Sequence, residues 1–140
     1  MNTNLPIPTN KKKEVELLYP DLSFDVVGLC FNVHNETGKF AKEKQYANIL
    51  EQKLQETGIV YQREFIIGNT GNTVDFLIEG KIILELKAKP FLSKSDFVQT
   101  QRYLQVTGIR LGILVNFGGT YVRSHRIVRI EYSTRKPSSD

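Results

Sequence analysis

Residues 83–90 read ILELKAKP, which places Glu85 and Lys87 in a run otherwise apolar enough for a buried strand. Two charges there are costly unless they pair with each other or bind something. Just upstream, TVDFLI carries Asp75, and Glu79-Gly80-Lys81 joins the two runs. Facing residues of an antiparallel pair share a face, and the loop length sets which residues face each other. A three-residue loop with a glycine bulge makes Ile78 face Ile82 and, counting back, brings Asp75 opposite Glu85. Lys87 then lies on the same face, about 7 Å further along the strand. A two-residue loop would instead set Asp75 against Leu84 and send the carboxylates to opposite faces, leaving an edge hairpin with snorkelling charges.

In the first register the two carboxylates repel unless something positive sits between or beside them. A divalent metal is the natural candidate. Hard oxygen donors in this number suit Mg²⁺ or Mn²⁺, and a nearby ammonium can orient a water and steady charge developing on a phosphate. That is the chemistry of phosphodiester hydrolysis.

The elements that must position these groups follow from periodicity. After Pro20, Ser23 offers a helix cap, Val26, Val27, Cys30 and Phe31 fall at helical spacing, and Gly38 is a stop. A second helix is expected from about Ala41 to Thr57, ending at Gly58, with its apolar stripe at Tyr46, Ala47, Leu50 and Leu54. Glu43 stands at the head of that stripe, either as an acid favoured by the helix macrodipole or as a site residue. Runs beginning at Ile59, Thr73 and Ile82 form a three-stranded meander. Ser93 or Ser95 can cap a third helix that closes at Gly108, and the strand RLGILVNF and the amphipathic strand YVRSHRIVRIEY complete the chain. The expectation is one α/β domain over residues 15–132, with a flexible arm at 1–14 and a flexible tail at 133–140.

VDF at 74–76 followed by ELK at 85–87 resembles the D…ExK signature of the PD-(D/E)XK nuclease superfamily, with Val74 where the namesake proline would be. Gln99 and Tyr103 in QTQRY resemble the QxxxY helix motif of its RecB-like and Cas4-like members, and Glu43 resembles their helical acid. The stretches KEKQYANIL, VDFLIEGKIILELKA, QTQRYL and TGIRLGILVNFG are similar to the family called GxxExxY proteins, over roughly residues 15–130. Phe40 stands where that family's glycine would be, while Glu43 and Tyr46 keep their spacing. The resemblance implies a restriction-endonuclease-like core, a mixed sheet of four to five strands flanked by helices. It also implies a metal-dependent nuclease acting on DNA, with Mg²⁺ or Mn²⁺ held by Asp75, Glu85, Glu43 and the Leu86 carbonyl. Lys87 would position the attacking water, and Gln99 and Tyr103 would flank the metal site and hold DNA or the acids.

Lys89, Arg102, Arg123, Arg126 and Arg129 could contact phosphates, or could form a solvated face and guard an edge strand. His34 and His125 lack partners at metal-ligand spacing and read as structural or surface residues. Cys30, among apolar neighbours, reads as a buried inert thiol. The GNTGN and FGGT segments read as turns rather than phosphate cradles.

With 140 residues, 40% hydrophobic and 24% charged, the chain is neither wholly disordered nor membrane-spanning in composition. Cys30 is the only cysteine, so no intramolecular disulfide can form, and MNTNLPIPTNKKK has no apolar stretch of the signal type. A cytoplasmic location is the expectation. A formal charge of +4 is compatible with a polyanionic partner and does not by itself select one. A homodimer or partner protein could supply target choice. The rival class is a non-catalytic nucleic-acid-binding or protein-interaction module on the same fold.

Overall fold

A computed structural model of the chain describes residues 17–132. The expected arm at 1–14 and tail at 133–140, and with them the first two positions of the expected domain, lie outside the described residues. The elements are α1 (Pro20–Thr37), α2 (Glu43–Thr57), β1 (Tyr61–Ile67), β2 (Asn72–Ile78), β3 (Ile82–Lys87), α3 (Lys94–Thr107), β4 (Leu111–Asn116) and β5 (Arg123–Val128). Their order is the one expected from periodicity.

The five strands form one sheet in sequential order. β1, β2 and β3 make the antiparallel meander, β4 runs parallel to β3, and β5 returns antiparallel to β4. The parallel step requires a crossover, and α3 supplies it. Helices α1 and α2 bury Val26, Cys30, Val33, Tyr46 and Leu50 against Ile82, Leu84 and Leu86 on one face. On the other face Tyr103 and Leu104 of α3 pack with Ile67, Val74, Leu77 and Ile83. The sheet is therefore covered on both sides, and β3 and β4 are buried almost throughout, as central strands flanked by helices require.

Helix α3 sits close to the sheet because position 112 has no side chain. A Cβ on Gly112 would lie 2.8 Å from Thr100 Cγ2. This approach brings the start of α3 against the C-terminal ends of β3 and β4.

The α1 start differs from expectation. The helix begins at Pro20, whose fixed φ suits a first helical position, and Tyr19 is the cap residue at φ 48. Ser23 is not the cap: it lies inside the first turn, donates to the Pro20 carbonyl at 3.1 Å and accepts from Arg126 Nη1 at 2.7 Å. Phe31 is exposed, because the buried stripe follows Val26, Cys30 and Val33 and leaves Phe31 one position around the helix. The last strand is also shorter than the amphipathic run suggested, pairing with β4 only from Arg123 to Val128. Among the described residues no helix is long and apolar enough to cross a membrane.

Candidate active site

The β2–β3 loop has three residues, and Ile78 faces Ile82. Glu79 and Gly80 take φ values of 53 and 67, and the Glu79 N–H donates to the Val60 carbonyl at 2.8 Å while its carboxylate accepts the Val60 N–H at 2.9 Å. The turn is thus tied to the entry of β1, and the register that opposes Asp75 to Glu85 is the one present.

At this level the strands part. Pairing of β2 with β3 stops at Phe76 and Leu84, and between β1 and β2 it skips Glu64, which sits at φ 55. Tyr61 and Arg63, before the skip, face Phe76 and α2, whereas Phe65 and Ile67, after it, join the cluster under α3. The hairpin changes faces at Glu64 and Asp75. In the opening the carboxylates take over backbone bonds: the Asp75 N–H donates to Glu85 Oε1 at 2.9 Å, and the Leu86 N–H donates to Asp75 Oδ2 at 2.6 Å.

Both acids are largely out of water, and this sets their protonation. Burial pushes the Glu85 carboxyl up to about 8, and the charge of Asp75 adds to the rise. Burial also raises Asp75, against the opposing pull of the Leu86 N–H and the charge of Lys87. Two oxygen-donor groups converge here with a strong bias toward holding protons or a cation. Mg²⁺ is characteristically bound by one or two carboxylates together with substrate phosphates, so this donor set fits a divalent ion.

Lys87 emerges at the end of β3 on the α3 side, and its Nζ lies 3.8 Å from Asp96 Oδ1. Asp96 is the residue that sequence reasoning missed. From the first turn of α3 it accepts the Ser93 N–H at 2.7 Å and Lys89 Nζ at 2.7 Å, so one buried carboxylate both caps the helix and holds two lysines. Burial alone would raise it, but the Lys89 and Ser93 hydrogen bonds and the Lys89 charge outweigh that and keep it below the ordinary carboxylate range. The Ser93-x-x-Asp96 capping box was the available signal, because such an acid three residues into a helix lies close to whatever precedes the helix.

Asn116 completes the frame. Its Oδ1 accepts the Lys89 and Gly118 N–H groups, each at 3.1 Å, and its amide donates to the Lys89 carbonyl at 2.9 Å. A Cβ on Gly118 would lie 2.2 Å from the Lys89 carbonyl oxygen. The Lys87–Lys89 segment is therefore clamped between β4 and α3.

The other expected site residues divide. Tyr103 is buried in the α3 cluster, where burial and then the negative charge of Glu85 raise its hydroxyl, with Arg102 opposing; it stands on the same side as the acid pair. Gln99, one turn earlier, is half-buried, and Arg102 is exposed. Leu86 gives its N–H to Asp75 and its side chain to the α1/α2 core. Glu43 is exposed at the start of α2, and among the described residues no three Asp, Glu, His or Cys side chains gather into a group able to hold an ion. The structure therefore brings together Asp75, Glu85, Lys87 and Asp96, and does not join Glu43 to them.

Two of the arginines have structural work. Arg126 donates to the Leu18 carbonyl at 2.6 Å and to Ser23, and Arg129 bonds the Gly108 carbonyl at 2.9 Å and Glu131. His34 Nε2 lies 3.0 Å from the Gly119 carbonyl, and His125 meets the Phe97 ring edge-on. The Cys30 thiol is buried and pushed up to about 12, so it is inert as read. Phe40 is not among the residues with positive φ, so its backbone does not require the glycine of the GxxExxY pattern. Tyr46 holds this loop, donating to the Gly38 carbonyl at 2.5 Å and accepting the Ala41 N–H at 3.3 Å.

Residues 20–130 match the family described as the PD-(D/E)XK nuclease superfamily. No protein of curated function matches the chain. Among solved structures, an alkaline exonuclease from Laribacter hongkongensis is similar at 16% identity and a TM-score of 0.45, over 57% of this chain and 52% of that one. The protein SSO0001 is similar at 20% identity and a TM-score of 0.44, over 74% of this chain and 66% of that one. The matched parts thus amount to less than two thirds of either protein's length. The mixed five-stranded sheet with helices on both faces is the restriction-endonuclease-like core that the resemblance implied.

Proposed function

The chain belongs to the PD-(D/E)XK nuclease superfamily, and from that premise we propose that it is a metal-dependent nuclease hydrolysing DNA phosphodiester bonds at Asp75, Glu85 and Lys87. The observation that carries this reading is the convergence of the buried Glu85 carboxylate and the half-buried Asp75 carboxylate, each bonded to the other strand's backbone, beside a lysine anchored by a third acid. A purely structural pair would be expected to have its own counter-cation at contact distance. Here, among the described residues, neither acid has an ion-pair partner, and Lys87, whose charge both acids feel, pairs with Asp96 instead.

In this reading Asp75 and Glu85 would hold Mg²⁺ or Mn²⁺, with the Leu86 carbonyl as a further donor, while Glu43, exposed at the start of α2, stands outside this donor set. A bound divalent ion supplies Lewis-acid stabilisation of the phosphate and lowers the pKa of a coordinated water. The chain's own part is to fix the two carboxylates on one face through the strand opening, and to keep water out through the α3 cluster. Lys87 directs an ammonium at the attacking water and at the charge developing on the phosphate, its position set by Asp96. Tyr103, whose hydroxyl feels the Glu85 charge, and Gln99 one turn before it would border the acids from α3, and Lys89 and Arg102 would contact phosphates flanking the scissile bond. Kinship with the GxxExxY family, a cytoplasmic location and target choice through a homodimer or partner protein belong to the same proposal.

The test is cleavage of labelled single- and double-stranded DNA in Mg²⁺ or Mn²⁺, with EDTA controls and purified Glu85→Ala and Lys87→Ala variants. Metal-dependent cutting lost in both variants is the expected result. Absence of cutting by a folded wild-type protein that still binds DNA would favour the non-catalytic module.

A further inference from the structure

A cleft of about 580 Å³ opens between the β3–α3 connection, the first turn of α3 and the β4–β5 connection, walled in part by Phe91, Phe97, Asn116, Tyr121, Arg123 and His125. It continues the site. On the α3 face Lys87 pairs with Asn116 and Asn116 with Arg123, so these three form one row across the sheet. Arg123 is two strand spacings from Lys87, roughly 10 Å. The row beside it runs Glu85, Leu114, His125. Phe97 directly follows Asp96 and meets His125 edge-on at 5.2 Å between ring centres.

The wall chemistry is specific. Phe91 is 84% exposed and Tyr121 76% exposed, on two different connections that border the same cleft. Large aromatic faces held in water gain nothing for the fold, and they suit a ligand that offers a flat π-surface. Arg123 within the cleft, with Lys87 and Lys89 at its near edge, adds positive charge. Aromatic faces interleaved with cations match the bases and phosphates of a single strand. A duplex keeps its bases stacked on one another and offers these rings no face.

We propose that this cleft stacks an unpaired base of a single-stranded nucleic acid on Phe91 and Tyr121, with Arg123 on an adjacent phosphate, and leads that strand to Asp75, Glu85 and Lys87. This deepens the nuclease reading and rests on it: the substrate is a single strand or a single-stranded end.

The test is the affinity of a short labelled oligothymidine and of a blunt duplex, measured without divalent metal, for wild type and for Phe91→Ala/Tyr121→Ala and Arg123→Ala. Wild type is expected to prefer the single strand. The double variant loses about tenfold or more of that affinity, with duplex binding and melting temperature unchanged, because both rings are exposed. Arg123→Ala reduces the salt slope by about one phosphate contact. Unchanged oligothymidine affinity in the double variant, or a wild-type preference for duplex, overturns the proposal. Parallel cleavage assays separate the two readings. Ring-dependent single-strand binding without cleavage in any metal leaves the cleft standing and removes the nuclease. Cleavage with ring-independent binding does the reverse.

Discussion

Asp75 and Glu85 are linked through the backbone as well as by charge: the Asp75 N–H donates to Glu85 Oε1 at 2.9 Å, at the one level where both neighbouring strand ladders break. A ladder bond has been exchanged for a carboxylate, so this strand opening and the acid pair depend on each other. Removing either acid should alter the local backbone as well as any ion binding.

The first prediction concerns pH. Glu85 is raised from an ordinary value of 4.5 to about 8 in the folded chain, so between those limits the native state holds a proton that the unfolded state has released. Stability rises with pH only where the unfolded state binds more protons, so here it falls as pH rises from about 4.5 to about 8. Asp75 shifts in the same direction and adds to the fall. Glu85→Gln keeps the acceptor for the Asp75 N–H and removes the charge. Without metal it is expected to melt several degrees above wild type at pH 8 and close to it at pH 4. Thermal melts across pH check this.

The second prediction concerns metal. An ion that binds the folded pair stabilises by mass action and displaces the protons the acids hold. Mn²⁺ is expected to raise the wild-type melting temperature more at pH 8 than at pH 6, and Asp75→Ala should abolish the gain at both. A gain of equal size in the variant would place the ion elsewhere.

The third prediction concerns Asp96, a positioning residue for Lys87. Asp96→Asn can still accept the Ser93 N–H, so the helix cap survives and stability falls by no more than about 1 kcal/mol. The charge that holds Lys87 and Lys89 is lost. Cleavage is expected to fall about tenfold in kcat with a smaller change in KM, the pattern of an interaction that matters most in the transition state. A denaturation curve beside the kinetics distinguishes this from simple unfolding.

The fourth prediction compares two glycines. At Gly118 an added methyl meets the Lys89 backbone, which cannot step aside as a flexible side chain could, so Gly118→Ala should cost roughly 1 to 3 kcal/mol and slow cleavage by displacing the lysine segment. At Gly28, within α1, a Cβ would meet nothing within 4 Å. Gly28→Ala should stabilise by about 0.5 to 1 kcal/mol through helix propensity and leave cleavage unchanged. Urea unfolding of both variants checks the opposite signs.

How far the sequence could be read depended on the range of each contact. Asp75 and Glu85 were legible because a hairpin converts loop length directly into which residues face each other. Helix ends at Gly38, Gly58 and Gly108 were legible for the same local reason, each glycine closing its helix at positive φ. Ser23 was misread because a capping residue and a tertiary hydrogen-bond acceptor look alike until Arg126, 103 positions away, is placed beside it. Asp96 was hidden in a similar way: its capping role is local, but its hold on Lys87 depends on how α3 docks over Gly112. Glu43 shows the converse: its spacing sets it at the head of the stripe, yet Tyr46, Ala47, Leu50 and Leu54 are buried and Glu43 is exposed, because the docking of α2 decides how far along the helix the stripe is covered.

Arg126 has a consequence for the order in which the chain assembles. Its bonds to Ser23 and Leu18 close loops of 103 and 108 residues, whereas the acid pair closes one of 10 or 11. Short loops form at small entropic cost and long ones are deferred until other contacts have drawn the ends together. The reactive centre can thus take shape in the hairpin and crossover while the first helix is still undocked. Native-state amide exchange is the place to see it: the opening turn of α1 should exchange through a local release, and the amides of β3 only through global unfolding.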